Sequence, residues 1–232
     1  MPVKADPAFV KIRVMKTEHF SDIGEPEAPV RGTLHRADGG SKDFLVLTHG
    51  ASGNSNTALL LALASAFAEG GMSVLRCDLP YRQRKPSGPP SPADAKRDQQ
   101  GLKRAVSLMN QQFSGRAFLG GSSYGGRQAS MLASSESGLV EGLLLLSYPL
   151  HPPGRPTQLR TQHFPYLHTP ALFVSGTRDA FGSIDELQGA IKLIPAKTKL
   201  LAVEGAAHGL SDKKKQAAIV QLVTESFREF LG

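Results

Sequence analysis

Five short runs carry apolar side chains at successive positions instead of at every second one: FLVLT at 44–48, SVLRC at 73–77, GLLLLS at 142–147, ALFVS at 171–175 and KLLAV at 199–203. A strand with one wet face alternates polar and apolar residues, so strands that do not alternate are buried on both faces. Such strands pair in parallel and need crossover helices to cover them. The intervening sequence supplies those helices. The tract Asn54-Ser55-Asn56-Thr57 offers caps for a helix over 58–69 that Gly70-Gly71 stops, and further helices are predicted over 93–112, 127–134 and 212–230. Strands over 30–37 and 116–119, a turn at Asp38-Gly39-Gly40-Ser41 and a tight turn at GGSSYGG (120–126) complete the pattern. The fold class is α/β, with a mostly parallel central sheet and helices on both faces. In such sheets ligands sit beyond the carboxyl ends of the strands.

With 232 residues and neither repeat nor linker, the chain is expected to form one domain over 1–232. The single cysteine, Cys77, has no internal disulfide partner and falls in a buried strand. The opening residues alternate charged and apolar side chains without the apolar core of a secretory leader, so a cytoplasmic location is expected. The most apolar tract, 58–68, is too short to cross a bilayer, and no membrane association is expected. Lys and Arg number 27 against 20 Asp and Glu, a net charge of +7. That balance raises nucleic-acid binding, but the basic residues are dispersed, Lys213-Lys214-Lys215 reads as a solvated helix start, and no helix-turn-helix, zinc-finger or RNA-binding signature is present. His151, His163 and His168 share a loop without the spacing of a zinc site, so no metal and no cofactor is expected.

Gly121-Ser122-Ser123-Tyr124-Gly125 fits G-x-S-x-G between a predicted strand and a predicted helix. There a sharp turn lifts the central hydroxyl off the sheet, which demands small neighbours. The plainer reading is a glycine-rich turn that binds phosphate or nothing. A serine hydroxyl needs a base, and the base an acid to orient it. In the order Ser, acid, His, the strand 171–175 leads into Asp179 and the strand 199–203 into His208, both at carboxyl strand ends. Asp179 could instead cap the following helix, with Asp185 as competing acid. The oxyanion formed during acyl transfer needs two backbone N–H groups. Tyr124 supplies one and Ala51 the other, with Gly50 as alternative, while His49 reads as structural. The loops 79–93 and 151–170 contain no Asp or Glu but carry Arg82, Arg84, Arg155 and Arg160. These arginines are either solvated or form an electropositive mouth that favours anionic acyl substrates. The second loop is too short for a large lid.

FLVLTHGASGN, GGSSYGGRQA, SYPLHPPGRP, FVSGTRDAFG and EGAAHGL, in this order, resemble the α/β-hydrolase family that contains testis-expressed protein 30 and the third subunit of the KANSL chromatin complex, akin to dienelactone hydrolases. The resemblance runs from about Val30 to the end. It implies an α/β-hydrolase fold without a large lid domain, with Ser123, Asp179 and His208 in the nucleophile, acid and histidine positions. Dienelactone hydrolases proper carry cysteine where Ser123 stands. The expected activity is a serine esterase acting on a small-molecule ester, thioester or related acyl bond. The alternative, suggested by relatives that serve as interaction subunits, is an inactive scaffold that binds an acidic partner. The sequence does not specify an oligomeric state.

Overall fold

A computed structural model describes residues 16–37, 42–210, 212 and 214–232. Its strands are β1 (Lys16–Asp22), β2 (Val30–Arg36), β3 (Phe44–Thr48), β4 (Ser73–Asp78), β5 (Ala117–Ser122), β6 (Gly142–Leu146), β7 (Ala171–Gly176) and β8 (Thr198–Val203). Its helices are α1 (Ala58–Glu69), α2 (Pro80–Arg84), α3 (Asp94–Asn110), α4 (Tyr124–Ser135), α5 (Ile184–Ala190) and α6 (Gln216–Leu231). The strands form one sheet in the order β1-β2-β4-β3-β5-β6-β7-β8. β1 and β2 run antiparallel to their neighbours, and every other pairing is parallel.

The non-alternating strands other than β8 have their explanation in the two cores; β8, expected to be buried on both faces, is the last strand of the sheet and only half-buried. Phe44, Val46, Leu143, Leu145 and Phe173 point into one, with Leu102, Val106 and Met109 of α3, Leu132 of α4 and Leu187 of α5. Leu45, Leu47, Leu144, Leu146 and Val174 point into the other, against Leu60, Leu63 and Phe67 of α1 and Val223 and Phe227 of α6. From β3 the chain crosses to β4 on one side and later to β5 on the other. The crevice at the carboxyl ends of β3 and β5 is therefore the switch point at which such sheets place ligands.

The structure corrects the expected elements in four places. β1 was not foreseen, because its residues are mostly exposed and it pairs along a single edge. The expected loop over 79–93 contains α2, a five-residue helix with proline in its first turn, too short for a periodic signal. The expected turn at 120–126 is mostly regular structure. β5 runs through Gly120 and Gly121 to Ser122, and α4 starts at Tyr124 instead of Arg127. Gly120 is there because a Cβ would come within 2.6 Å of the Leu144 carbonyl oxygen on β6, not because the chain turns. The last helix starts at Gln216, after a turn that holds Lys214 and Lys215. The turn at 38–41 and Lys213 lie outside the described residues.

Between β6 and β7 the chain makes only a single 3-10 turn over Phe164–Tyr166, and no large lid covers the sheet edge. Cys77 is buried, and desolvation pushes its thiol up to about 12, as befits a core residue. Among the described residues no helix is long and apolar enough to cross a membrane.

Candidate active site

Ser123 is the whole of the turn between β5 and α4, with φ 50° and ψ −114°. A non-glycine residue in this region costs on the order of 1–3 kcal/mol and persists only where its surroundings enforce it. They do so here through backbone approach. A Cβ on Gly121 would lie 2.7 Å from Gly125 C and Gly126 N, one on Gly125 2.4 Å from the His49 carbonyl, and one on Gly126 2.7 Å from the Gly121 carbonyl. The Ser123 N–H donates to the Leu146 carbonyl (2.8 Å), and its own carbonyl accepts from Arg127 N–H (3.0 Å), the first full turn of α4. The hydroxyl is left pointing off the sheet.

It points at His208. Ser123 Oγ is 2.8 Å from His208 Nε2, and His208 Nδ1 is 2.8 and 2.9 Å from the two Asp179 oxygens. A carboxylate only accepts, so Nδ1 carries the proton and Nε2 is left to accept from the serine. Asp179 has no exposed side-chain surface, and its Oδ1 also accepts the Phe181 N–H (2.8 Å). The helix-cap reading of Asp179 does not describe this chain. Ser183 caps α5 in a capping box with Glu186, and Asp185 is an exposed residue of the first turn. Gly176 lets the two loops meet, since a Cβ there would stand 2.1 Å from the Ala206 carbonyl oxygen, and Arg178 N–H donates to that same carbonyl (2.9 Å). The imidazole is further held by Phe181, stacked at 4.0 Å between ring centroids, and by the Gly209 N–H on Ser147 Oγ (3.1 Å).

Ser123 and His208 open into a cavity of about 470 Å³ shared with Gly50, Ala51, Tyr124 and Phe181. The Tyr124 N–H heads α4, where no intrahelical carbonyl can reach it. The loop carrying Ala51 is clamped from behind. His49 is buried, donates from Nδ1 to the Gly50 carbonyl (2.8 Å) and accepts the Leu79 N–H at Nε2 (3.1 Å). Burial holds its pKa below the usual histidine range. A buried imidazole engaged at both nitrogens is a brace, not a base.

The four arginines have different surroundings. Arg160 lines the cavity and donates to the Pro149 carbonyl (3.3 Å), and among the described residues no carboxylate pairs with it. Burial and the neighbouring Arg127 charge both lower its pKa. Arg82 is buried beneath the cavity floor, and its guanidinium donates to the carbonyls of Gly53, Ala51, Lys85 and Gly88. Arg84 pairs with Asp94 (2.5 Å), and Arg155 is exposed on the surface; neither lines the cavity. Among the described residues no group of His, Cys, Asp and Glu is arranged to hold a metal ion.

Phe181, Ser147, Tyr81 and Asp98 also support the site, beyond the residues expected from sequence. Nothing local marks the first two. Asp98 did carry a signal, a carboxylate four residues before Leu102 on the apolar face of α3.

Residues 41–230 match a family model described as an alpha/beta hydrolase domain. Solved structures with the same fold include a dienelactone hydrolase from Anabaena variabilis, with TM-score 0.73, 19% identity and coverage of 94% of this chain and 99% of that one. An alpha-beta serine hydrolase homologue from Coxiella burnetii aligns with TM-score 0.72 and 20% identity over 92% of this chain and 99% of its own. A Xanthomonas campestris protein described as an a/b serine hydrolase without lid aligns with TM-score 0.74 and 15% identity over 97% and 98%.

Proposed function

The chain belongs to the alpha/beta hydrolase domain family, and on that premise we propose that it is a serine hydrolase that cleaves a carboxylic ester, thioester or related acyl bond. The observation that carries the reading is the continuous chain Asp179–His208–Ser123, with 2.8 Å at each step, at the carboxyl edge of the sheet. Its finer placement beside testis-expressed protein 30 and the third KANSL subunit rests on the five sequence motifs alone.

In the proposed mechanism His208 Nε2 takes the proton as Ser123 Oγ attacks the acyl carbon, and Asp179 stabilises the imidazolium without itself becoming protonated. The oxyanion lies between the N–H groups of Tyr124 and Ala51, worth several kcal/mol when both donors are fixed beforehand. His208 then protonates the leaving group, and a water activated by the same imidazole hydrolyses the acyl-enzyme. No cofactor takes part in this scheme. The open cavity suits a small substrate. Arg160, a cation on its wall without a carboxylate partner among the described residues, favours substrates that carry an anionic group.

The test is labelling by a fluorophosphonate probe, together with turnover of a panel of short acyl esters, in the parent and in Ser123→Ala. Labelling and turnover that vanish in the variant are the expected result. A parent that neither labels nor turns over any ester would leave the scaffold reading in its place.

A further inference from the structure

We propose that Asp98, on α3, is a positioning residue that ties together the two separate backbone segments forming the oxyanion hole. This inference rests on the hydrolase reading above. The two N–H donors come from different parts of the chain: Tyr124 begins α4, and Ala51 lies in the loop after β3. β3 and β5 pair up to Thr48 and Gly121, but among the described residues no backbone hydrogen bond joins Tyr124 to Ala51 beyond that point. Their separation and angle must nevertheless stay fixed, because a donor contributes only when it already points to where the negative charge develops.

The link runs through one carboxylate. Asp98 is fully buried, and its Oδ2 accepts the Tyr124 phenol (2.8 Å), fixing the residue that supplies the first donor. Its Oδ1 accepts the Tyr81 backbone N–H (2.9 Å). Tyr81 then donates its own phenol to the Ala51 carbonyl (2.8 Å), which holds the residue that supplies the second donor. The two phenol rings meet edge to face at 5.7 Å between centroids, closing the circuit. Arg82 reinforces the same point, donating to the Ala51 carbonyl at 2.9 Å. The carboxylate uses both oxygens as acceptors and contacts neither Ser123 nor His208. Burial raises its pKa to about 6, so this is a group that the fold retains against a desolvation cost. A leucine or alanine would pack on α3 without that cost, but could not receive donors from both Tyr81 and Tyr124.

Two substitutions that each delete one oxygen test the proposal with little risk to folding. Tyr81→Phe removes the hydroxyl on Ala51, and Tyr124→Phe removes the hydroxyl on Asp98; both keep the backbone N–H groups. With p-nitrophenyl acetate, each variant is expected to lose roughly tenfold in kcat with KM changed less than about threefold, a partial version of the loss on removing an oxyanion donor. Affinity for an alkyl boronate, whose tetrahedral adduct occupies the hole, should fall by the same factor as kcat/KM, while affinity for acetate stays within about twofold. The double variant should lose less than the product of the two single losses, because the two hydroxyls are links of one chain of hydrogen bonds that either deletion breaks. Asp98→Asn, which turns one acceptor into a donor, should lose at least as much as either. Parental kcat in both tyrosine variants, unchanged boronate affinity, or losses that multiply would each overturn the link while labelling of Ser123 persists. A parent without labelling or turnover would instead remove the hydrolase reading, and this proposal with it.

Discussion

Ser122 and Ser123 are adjacent and chemically identical, and backbone geometry alone separates them. Ser122 is the last residue of β5, and Ser123 has the positive φ that turns its hydroxyl toward His208. Ser123→Ala is accordingly expected to lower kcat/KM by at least roughly a thousandfold and to abolish fluorophosphonate labelling, while Ser122→Ala keeps most of both. Steady-state kinetics on the two variants checks this, and the reverse result would reassign the nucleophile. Asp179→Asn should cost on the order of 10³ to 10⁴ in kcat by allowing the wrong imidazole tautomer. The residues that meet here were readable in sequence because a nucleophile turn and two strand ends are local patterns. Phe181 and Ser147, which hold the imidazole, were not, because stacking and a hydrogen bond from Gly209 depend on which loops come together in space.

The turn from β5 to α4 depends on glycine for reasons of distance, and a glycine on another helix offers an internal control. Gly125→Ala would drive a Cβ to 2.4 Å from the His49 carbonyl, and Gly189→Ala on α5 would meet nothing within 4 Å. The first is expected to destabilise by more than about 2 kcal/mol and abolish activity, whereas the second is neutral or stabilises by up to about 1 kcal/mol. Thermal or denaturant unfolding of the two variants measures the contrast. The pairing of β2 with β4 contains a second sensitive point. Buried His35 accepts the Arg76 Nε–H at its Nε2 (2.9 Å), so the imidazole must be neutral, and burial followed by the Arg76 charge lowers its pKa to about 4. Between pH 6.5 and 4 the unfolded chain binds a proton at this residue that the folded chain refuses. The stability this group contributes is complete above pH 6.5 and is lost as the pH falls toward 4, by up to about 3 kcal/mol. His163, lowered to about 4 chiefly by burial, acts in the same direction, while Asp98, raised to about 6, opposes both. A His35→Gln variant should show a flatter dependence of Tm on pH across this window; an unchanged slope would count against the assignment.

Across the whole molecule, the double-sided burial of the central strands was legible because apolar periodicity records it directly, and the α/β class with a mostly parallel sheet follows from it, while the α/β-hydrolase fold was implied by the motifs. β1 and α2 escaped, one an exposed edge strand and the other shorter than two helical turns. The arginines show where reading by composition stops. Loops without Asp or Glu looked like uniform positive surface, yet Arg84 finds Asp94 just beyond its loop, Arg82 turns inward onto four carbonyls, and Arg160 alone of the four lines the cavity. With Arg160 on the cavity wall and a net charge of +7 over the whole chain, kcat/KM for a short ester bearing a carboxylate should exceed that of its neutral counterpart. The advantage should shrink severalfold between about 0.01 and 1 M ionic strength, as the screening length falls from about 30 Å to about 3 Å. A neutral ester should show no such dependence, and equal salt responses for the two would sink the idea of an anion-selective cavity.

The Ser123–His208 hydrogen bond joins residues 85 positions apart, and the loop after β8 can reach the end of β5 only once β6, β7 and β8 have added in turn to the sheet. Contacts of such long sequence separation form late, because loop closure must be met before they give anything back. Enzymatic turnover is therefore a stringent clock for refolding from denaturant. Helix content measured by circular dichroism should recover while the chain is still inert, and hydrolysis should return only with the slowest phase, when the edge carrying His208 docks. A truncated or proteolytically nicked chain that lost β8 and the loop after it would retain the strained serine and most of the parallel sheet, yet lack the histidine that meets that serine.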